Sequence, residues 1–168
     1  KSTTSPPTEE ALSRAELRRQ AFLQAAREVF LEQGFEAANM SEIVNRAGGS
    51  LSTLYSQFGD KKGMFRAIVM AGIQDFYHEM EMELQSHAPI RDGLERVGVQ
   101  FVTQVLQPDT LELYRLLIGL ARKFPDLTHS FNENGPDRLR ASLAAYLVER
   151  ETEGEIIADD PLRLAGLF

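Results

Sequence analysis

Two short apolar stripes separated by three residues constrain this chain more than any other feature. Between Ala38 and Phe58, Met40, Ile43, Val44 and Ala47 stand at i, i+3, i+4 and i+7, and Leu51, Leu54, Tyr55 and Phe58 repeat the spacing. Each set is one face of a helix with a 3.6-residue period. Asn39 is the expected N-cap of the first helix, with Glu42 three residues on expected to return a bond to the cap in a capping-box arrangement. Gly48 stands where a positive φ would end that helix, and Ser50 is placed to cap the next. The pattern is the outline of a helix-turn-helix. Helices of this length are not stable alone, so a third must support them.

The flanks supply it. From about Ala15 to Gln33, Phe22, Ala25, Ala26, Val29, Phe30 and Gln33 keep a helical period, and Gly34 is the expected stop. Arg14, Arg18 and Arg19 open this helix, either reaching towards phosphate or standing as solvated surface charge. Downstream, Gly59 and Asp60 precede a longer pattern through Met64, Phe65, Ile68, Gly72, Ile73, Phe76, Met80 and Leu84. Such a helix spans about 35 Å and would connect two domains. Pro89 breaks the pattern. Helical faces then recur over residues 90 to 106 (Leu94, Val97, Phe101, Val105), 109 to 124 (Leu113, Leu116, Leu117, Leu120, Ala121) and 136 to 151 (Leu139, Leu143, Tyr146, Leu147), with a further start at Pro161. Pro108, Pro125 and Pro136 lie at or near starts and breaks, and Gly154 marks a stop. No strand-like alternation competes. The fold class expected is all-α, with a helix-turn-helix domain over residues 13–66 joined by the long helix to a helical domain over residues 67–168.

Composition narrows the function classes. The net charge of -7 divides unevenly: residues 11 to 66 carry eight basic against six acidic side chains, a net +2, while residues 67 to 168 carry nine against seventeen, a net -8. A weakly positive N-terminal module suits local phosphate contact, and the acidic remainder should face away from a duplex. The 168 residues contain no Cys, which excludes disulfides and thiolate metal sites and suits a reducing cytoplasm. No apolar run reaches the roughly 18 residues of a membrane span. Residues 1 to 12, with Pro6 and Pro7, read as a polar arm without the apolar core of a secretory leader. The chain has no initiating Met and stops at Phe168 within an apolar pattern, so both ends are expected to be cut back. His78, His87 and His129 share no metal-ligand spacing. No catalytic constellation, metal site or cofactor motif emerges, and Asp159-Asp160 reads as a cap before Pro161.

The helix-turn-helix followed by Leu54-Tyr55, Phe58, Asp60-Lys61-Lys62 and Met64-Phe65 resembles the N-terminal domain of the TetR family of bacterial transcription regulators, over about Arg18 to Ile68. The segment Leu113 to Leu147, with Phe-Pro-Asp-Leu and Asn-Gly-Pro inside it, is similar to the ligand-binding half of an AefR- and AcrR-like subgroup. The resemblance implies that Thr53, Tyr55 and Lys61 meet the DNA backbone, that Leu51, Ser52 and Gln57 read bases, and that Ser41 and Ser50 lie within contact range at helix starts. Two positions depart from the family pattern. Ala38-Asn39 replaces the usual Thr-Thr and loses one hydroxyl. Gly49 replaces an apolar residue that would staple onto Leu54 and fix the entry angle of the second helix; Leu51 is expected to compensate in part, either by packing inward or by offering a contact to a thymine methyl, with a more mobile second helix as the consequence.

For the second domain the resemblance implies a pocket for a small apolar or amphipathic effector. Inward groups such as Phe76, Met80, Phe101, Tyr114, Ile118 and Phe131 are its candidate lining, with Arg115 or Arg122 orienting polar atoms, although each also reads as plain core. The function implied is a cytoplasmic DNA-binding regulator, a homodimeric repressor of a palindromic operator released by its effector, with activation open. It is no enzyme and no membrane protein. A helical small-molecule carrier or a protein-interaction adaptor would use the second domain but leave Thr53, Tyr55 and Lys61 without a role.

Overall fold

A computed structural model describes residues 14–85, 88–157 and 160–168. The polar arm, His87 and Asp159 lie outside the described residues. Nine helices follow one another: α1 (Arg14–Ala37), α2 (Met40–Ala47), α3 (Leu51–Phe58), α4 (Lys61–Leu84), α5 (Ile90–Val105), α6 (Pro108–Leu120), α7 (Pro125–Asn134), α8 (Pro136–Thr152) and α9 (Pro161–Leu167) among the described residues. None of these is long and apolar enough to cross a membrane. The chain divides into two compact units, the first ending at Phe65 and the second beginning at Arg66.

The first unit is built as its apolar spacing dictates. Phe22, Ala25, Ala26, Val29 and Phe30 of α1 are buried, as are Met40, Ile43 and Val44 of α2, Leu54 and Phe58 of α3, and Met64 and Phe65 of α4. Gly34 has φ +73°, and the helix direction changes there before a last short stretch to Ala37. Phe35, just past this kink, stacks on Phe30 at 5.8 Å, and Phe65 meets both rings edge-on at 5.4 and 5.6 Å. Edge-on contacts of this kind add about 0.5–1.5 kcal/mol each beyond area burial. Gly48, Gly49 and Gly59 have φ of +73°, +104° and +77°, a backbone region that favours glycine.

Asn39 caps α2 by accepting from the Ser41 N–H at 2.8 Å. The capping box expected with Glu42 is not formed as such. The Glu42 carboxylate turns instead to Gln33 Nε2 at 2.7 Å and to Arg46, because an amide donor from α1 and a guanidinium one turn on along α2 compete for it. Ser50 caps α3 by accepting from the Thr53 N–H at 3.1 Å. Asp60 does the same for α4, accepting from Gly63 N–H at 2.7 Å.

The second unit packs α4, α5, α8 and α9 around Met80, Leu84, Val97, Leu143, Ala144, Tyr146, Leu147 and Ala165. Two details of the expected α4 stripe differ. Gly72 is exposed, and Tyr77, one residue past Phe76, is buried in its stead. Between α6 and α8, α7 is a helix that the apolar spacing does not announce; only its Leu127 is buried. Arg150, 4% exposed, donates to Glu155 at 3.1 Å and pairs with Glu153 at 2.8 Å, and Glu155 also accepts from the Ile90 N–H at 3.0 Å. Further ties join Arg66 to Asp126 and Arg138 to Glu81.

Candidate nucleic-acid interface

A helix of eight residues is about 12 Å long, short enough to lie within a major groove of about that width. The two faces of α3 are sorted by its apolar spacing. Leu54 is fully buried and Phe58 nearly so, while Ser50, Leu51, Ser52, Thr53, Tyr55 and Ser56 are exposed. Tyr55 and Leu51 belong to the apolar stripe by spacing yet stand 45% and 39% exposed, so half of that stripe faces outwards. Leu51 therefore does not pack inward to replace an absent staple.

The polar candidates differ in what their atoms are free to do. The Ser50 hydroxyl lies 2.9 Å from the Thr53 hydroxyl while also accepting the α3 cap bond, so the pair is partly spent on holding the helix start. Ser41 is exposed on the first turn of α2. Gln57 is half-buried with its Oε1 enclosed, which turns one amide atom away from solvent and from any base. Lys61 sits at the first position of α4, and its ammonium donates to the Glu36 and Ala38 carbonyls at 2.7 and 3.1 Å while lying 5.2 Å from the Phe35 ring. Two of its three donors thus close the end of α1, and one is left for a phosphate.

Three arginines of the first unit have definite partners: Arg46, not a candidate by sequence, and Arg18 and Arg19, which sequence alone leaves between phosphate and solvent. Arg46, in the last turn of α2, makes a bidentate pair with Glu32 at 2.8 and 2.6 Å and also meets Glu42. Arg46 bonding holds the Glu32 carboxyl below the usual range, and bonds from Gln33 and then Arg46 do so for Glu42; the Arg46 guanidinium is raised in turn by Glu32 and Glu42. The i, i+4 spacing of Glu42 and Arg46 was the available sequence signal. Arg18 donates to the Ala47 carbonyl at 3.3 Å, and the Arg19 guanidinium lies 4.8 Å from the centre of the Phe58 ring. No local signal points to either contact.

In the second unit the six candidate lining residues do not form one enclosed site. Phe76 and Phe101 meet at 5.8 Å, and Tyr114 and Phe131 at 5.7 Å, as two ring pairs. Met80 is core. Tyr114 and Ile118 do not point inward, since 48% and 50% of their surfaces are exposed. Arg115 pairs with Glu112 on its own helix, and Arg122 is exposed. An open groove of about 680 Å³ runs instead past Glu79, Glu83, Arg96, Val99 and Gln100, and none of the six lines it.

Comparison with known proteins bears on both units. The family description "Bacterial regulatory proteins, tetR family" matches residues 22–68, and "AefR-like transcriptional repressor, C-terminal domain" matches residues 92–168. The chain is 28% identical over 142 residues to the HTH-type transcriptional regulator SrpR of Pseudomonas putida, covering 84% of this chain and 65% of that protein. It is 32% identical over 100 residues to the HTH-type transcriptional activator FasR of Mycolicibacterium smegmatis, covering 60% of this chain and 45% of that protein. The chain thus spans between about half and two thirds of the length of these relatives. A Mesorhizobium loti crystal structure, described as a TetR-family transcriptional regulator, superposes with a TM-score of 0.84 at 26% identity, covering 92% of this chain and 78% of that one.

Proposed function

Because the chain belongs to the TetR family of transcriptional regulators, we propose that it is a homodimeric repressor that reads a palindromic operator through α3 and is released by a small molecule bound in the second unit. The observation that carries this reading is the division of α3 into a buried face of Leu54 and Phe58 and an exposed face of Ser52, Thr53 and Tyr55. Among the described residues, Ser52 and Tyr55 on that face have no hydrogen-bond partner of their own to hold, in contrast to the Ser50–Thr53 pair, and stand open to a ligand. Hydroxyls and phenols suit phosphate oxygens and base edges, and a leucine beside them suits a thymine methyl.

One such helix contacts only a few base pairs, so useful affinity requires two, and two-fold symmetry in the protein implies a palindrome in the DNA. The charge division supports the same orientation, with residues 67 to 168 at a net -8 turned away from the duplex. The effector acts by binding better to the conformation whose reading helices are wrongly spaced; equal affinity for both conformations would release nothing. The partly buried Phe76–Phe101 ring pair of the second unit favours an apolar or amphipathic compound. The site of action is cytoplasmic, where operator DNA lies.

The test is selection of bound sequences from randomised duplex DNA, with a salt titration of the winner. A two-fold symmetric site whose affinity falls steeply with salt is expected. Failure to enrich any sequence at low salt, with folded protein confirmed, would replace this reading by a carrier or an adaptor. Likeness to a named activator favours one other sign of regulation, and a reporter gene under the selected operator distinguishes the two.

A further inference from the structure

A helix that ends in a two-glycine turn leaves its last carbonyls to be satisfied from elsewhere and its successor free to swing. In this chain α2 ends so, at Gly48 and Gly49, and α3 begins after one more residue. The side chain of Arg18, 29 positions upstream of Ala47, crosses that turn. Its Nη1 donates to the Ala47 carbonyl at 3.3 Å, placing a fixed positive charge at the negative end of α2. A Cβ on Gly48 would lie 3.3 Å from Nη1, and one on Gly49 would lie 3.5 Å from Nη1, 3.6 Å from the Arg18 Cδ and 3.1 Å from the Phe22 Cζ. The space where residue 49 would otherwise place a side chain is therefore filled by α1. One turn further along α1, the Phe22 ring meets Phe58 edge-on at 6.3 Å and Arg19 covers the same ring, so the far end of α3 is gripped as well. Holding the turn that leads into α3 and the far end of a helix of only eight residues constrains its direction.

We propose that Arg18 is a positioning residue that sets the entry angle of α3, taking over from across the unit the role that an apolar side chain at position 49 would play locally. It acts on DNA recognition without spending its charge on a phosphate. The proposal rests on α3 being the reading helix, as argued above.

The experiment compares Arg18→Ala, Arg18→Met and Arg18→Lys with the unaltered chain, in two measurements. The first needs no DNA: amide hydrogen exchange of Thr53 and Leu54, which donate to Ser50, against the core amides of Val29 and Phe30. Arg18→Ala is expected to speed exchange of Thr53 and Leu54 by about ten-fold while leaving Val29 and Phe30 unchanged. The second is affinity for the selected operator and for an unrelated duplex across a salt series. Affinity for the operator is expected to fall at least ten-fold, affinity for the unrelated duplex to hold, and the salt dependence on that duplex to keep its slope. Arg18→Lys, which retains a donor, is expected to recover part of the discrimination; Arg18→Met, which retains only the stem, is expected to recover less.

An equal loss on both duplexes with a salt slope shallower by about 0.9 would make Arg18 a phosphate contact and overturn the proposal. So would acceleration spread evenly over the unit, or no local acceleration at all. Unaltered protein that binds no duplex, with the exchange result as expected, would remove the functional reading while leaving the grip of Arg18 on the turn in place.

Discussion

Replacing Gly49 by valine, the apolar residue type usual at this position in the family, separates two accounts of the same turn. If glycine merely forgoes a staple onto Leu54, valine should restore it and stabilise the unit. The structure implies the reverse. Gly49 has φ +104°, and a β-branched residue held there costs about 1–3 kcal/mol. Its Cβ would also stand 3.1 Å from the Phe22 Cζ, and Phe22 is fully buried, so the ring cannot yield without disturbing Phe58; overpacking of this kind costs about 1–3 kcal/mol. The smaller conformational freedom of an unfolded chain carrying valine offsets about 0.4–1 kcal/mol. The expected net loss is about 3 kcal/mol, a large part of the stability of a domain this size. The assay is urea unfolding of the full chain, followed by the methyl signals of Val29 and Ile43, both fully buried in the first unit. With an m-value of about 1–3 kcal/mol/M, the midpoint for these signals should move down by about 1–3 M. An unchanged or raised midpoint would refute the reasoning, because the turn would then hold a side chain that Phe22 and Arg18 leave no room for.

Three further outcomes are expected. The Glu32 and Glu42 carboxyls are held below their ordinary value of 4.5, so their contribution to stability is present above that pH and is lost as pH falls through their lower folded values. The urea midpoint of the first unit should therefore drop as pH falls below about 4.5, and Arg46→Met should flatten that dependence. Tyr55→Ala removes an exposed ring, so the melting behaviour should change by no more than about 0.5 kcal/mol while operator affinity falls at least ten-fold; a stability loss without an affinity loss would make Tyr55 structural. Burial pushes the Tyr77 phenol up to about 12, so its stabilising effect is complete below pH 10 and is lost as pH rises through about 12; burial raises Tyr146 too, so an ultraviolet titration should show late tyrosine absorbance that Tyr77→Phe reduces without abolishing.

What was legible in the sequence follows from the range of the interactions. The starts and ends of α2 and α3 could be read because their caps and glycines act within a turn, and the buried set Met40, Ile43, Val44, Leu54 and Phe58 because a helix buries a repeating face. α7 escaped because Leu127 is its one buried side chain, and a ten-residue helix begun by Pro125 has no stripe to announce it. The Asn39–Glu42 box failed because two donors claim the carboxylate: Arg46, one turn on along α2, and Gln33 of α1, which no local rule sees. Arg18 and Lys61 carry the same lesson into the candidate interface. Both are cations near the expected DNA face, and both are turned to main-chain carbonyls 29 and 23 to 25 positions away. Exposure of the hydroxyls of α3 was predictable from period alone, but the enclosure of the Gln57 Oε1 was not.

The order in which the helices pack also governs how quickly the chain can find its structure. α1 packs on α2 and α2 on α3; in the second unit α5 packs on α6, α6 on α7, α7 on α8 and α8 on α9. These close backbone approaches join successive elements, while the core shared by α4, α5, α8 and α9 closes over longer stretches; helical domains rich in local contacts fold in about microseconds to milliseconds. The first unit ends at Phe65, so all of its helices are made before the second unit, and compact units of this kind fold as they are synthesised. The ties that bridge long stretches, Ile90 to Glu155 over 65 residues and Arg66 to Asp126 over 60, must wait for the last helices to emerge. They close a structure whose neighbouring helices have already found one another.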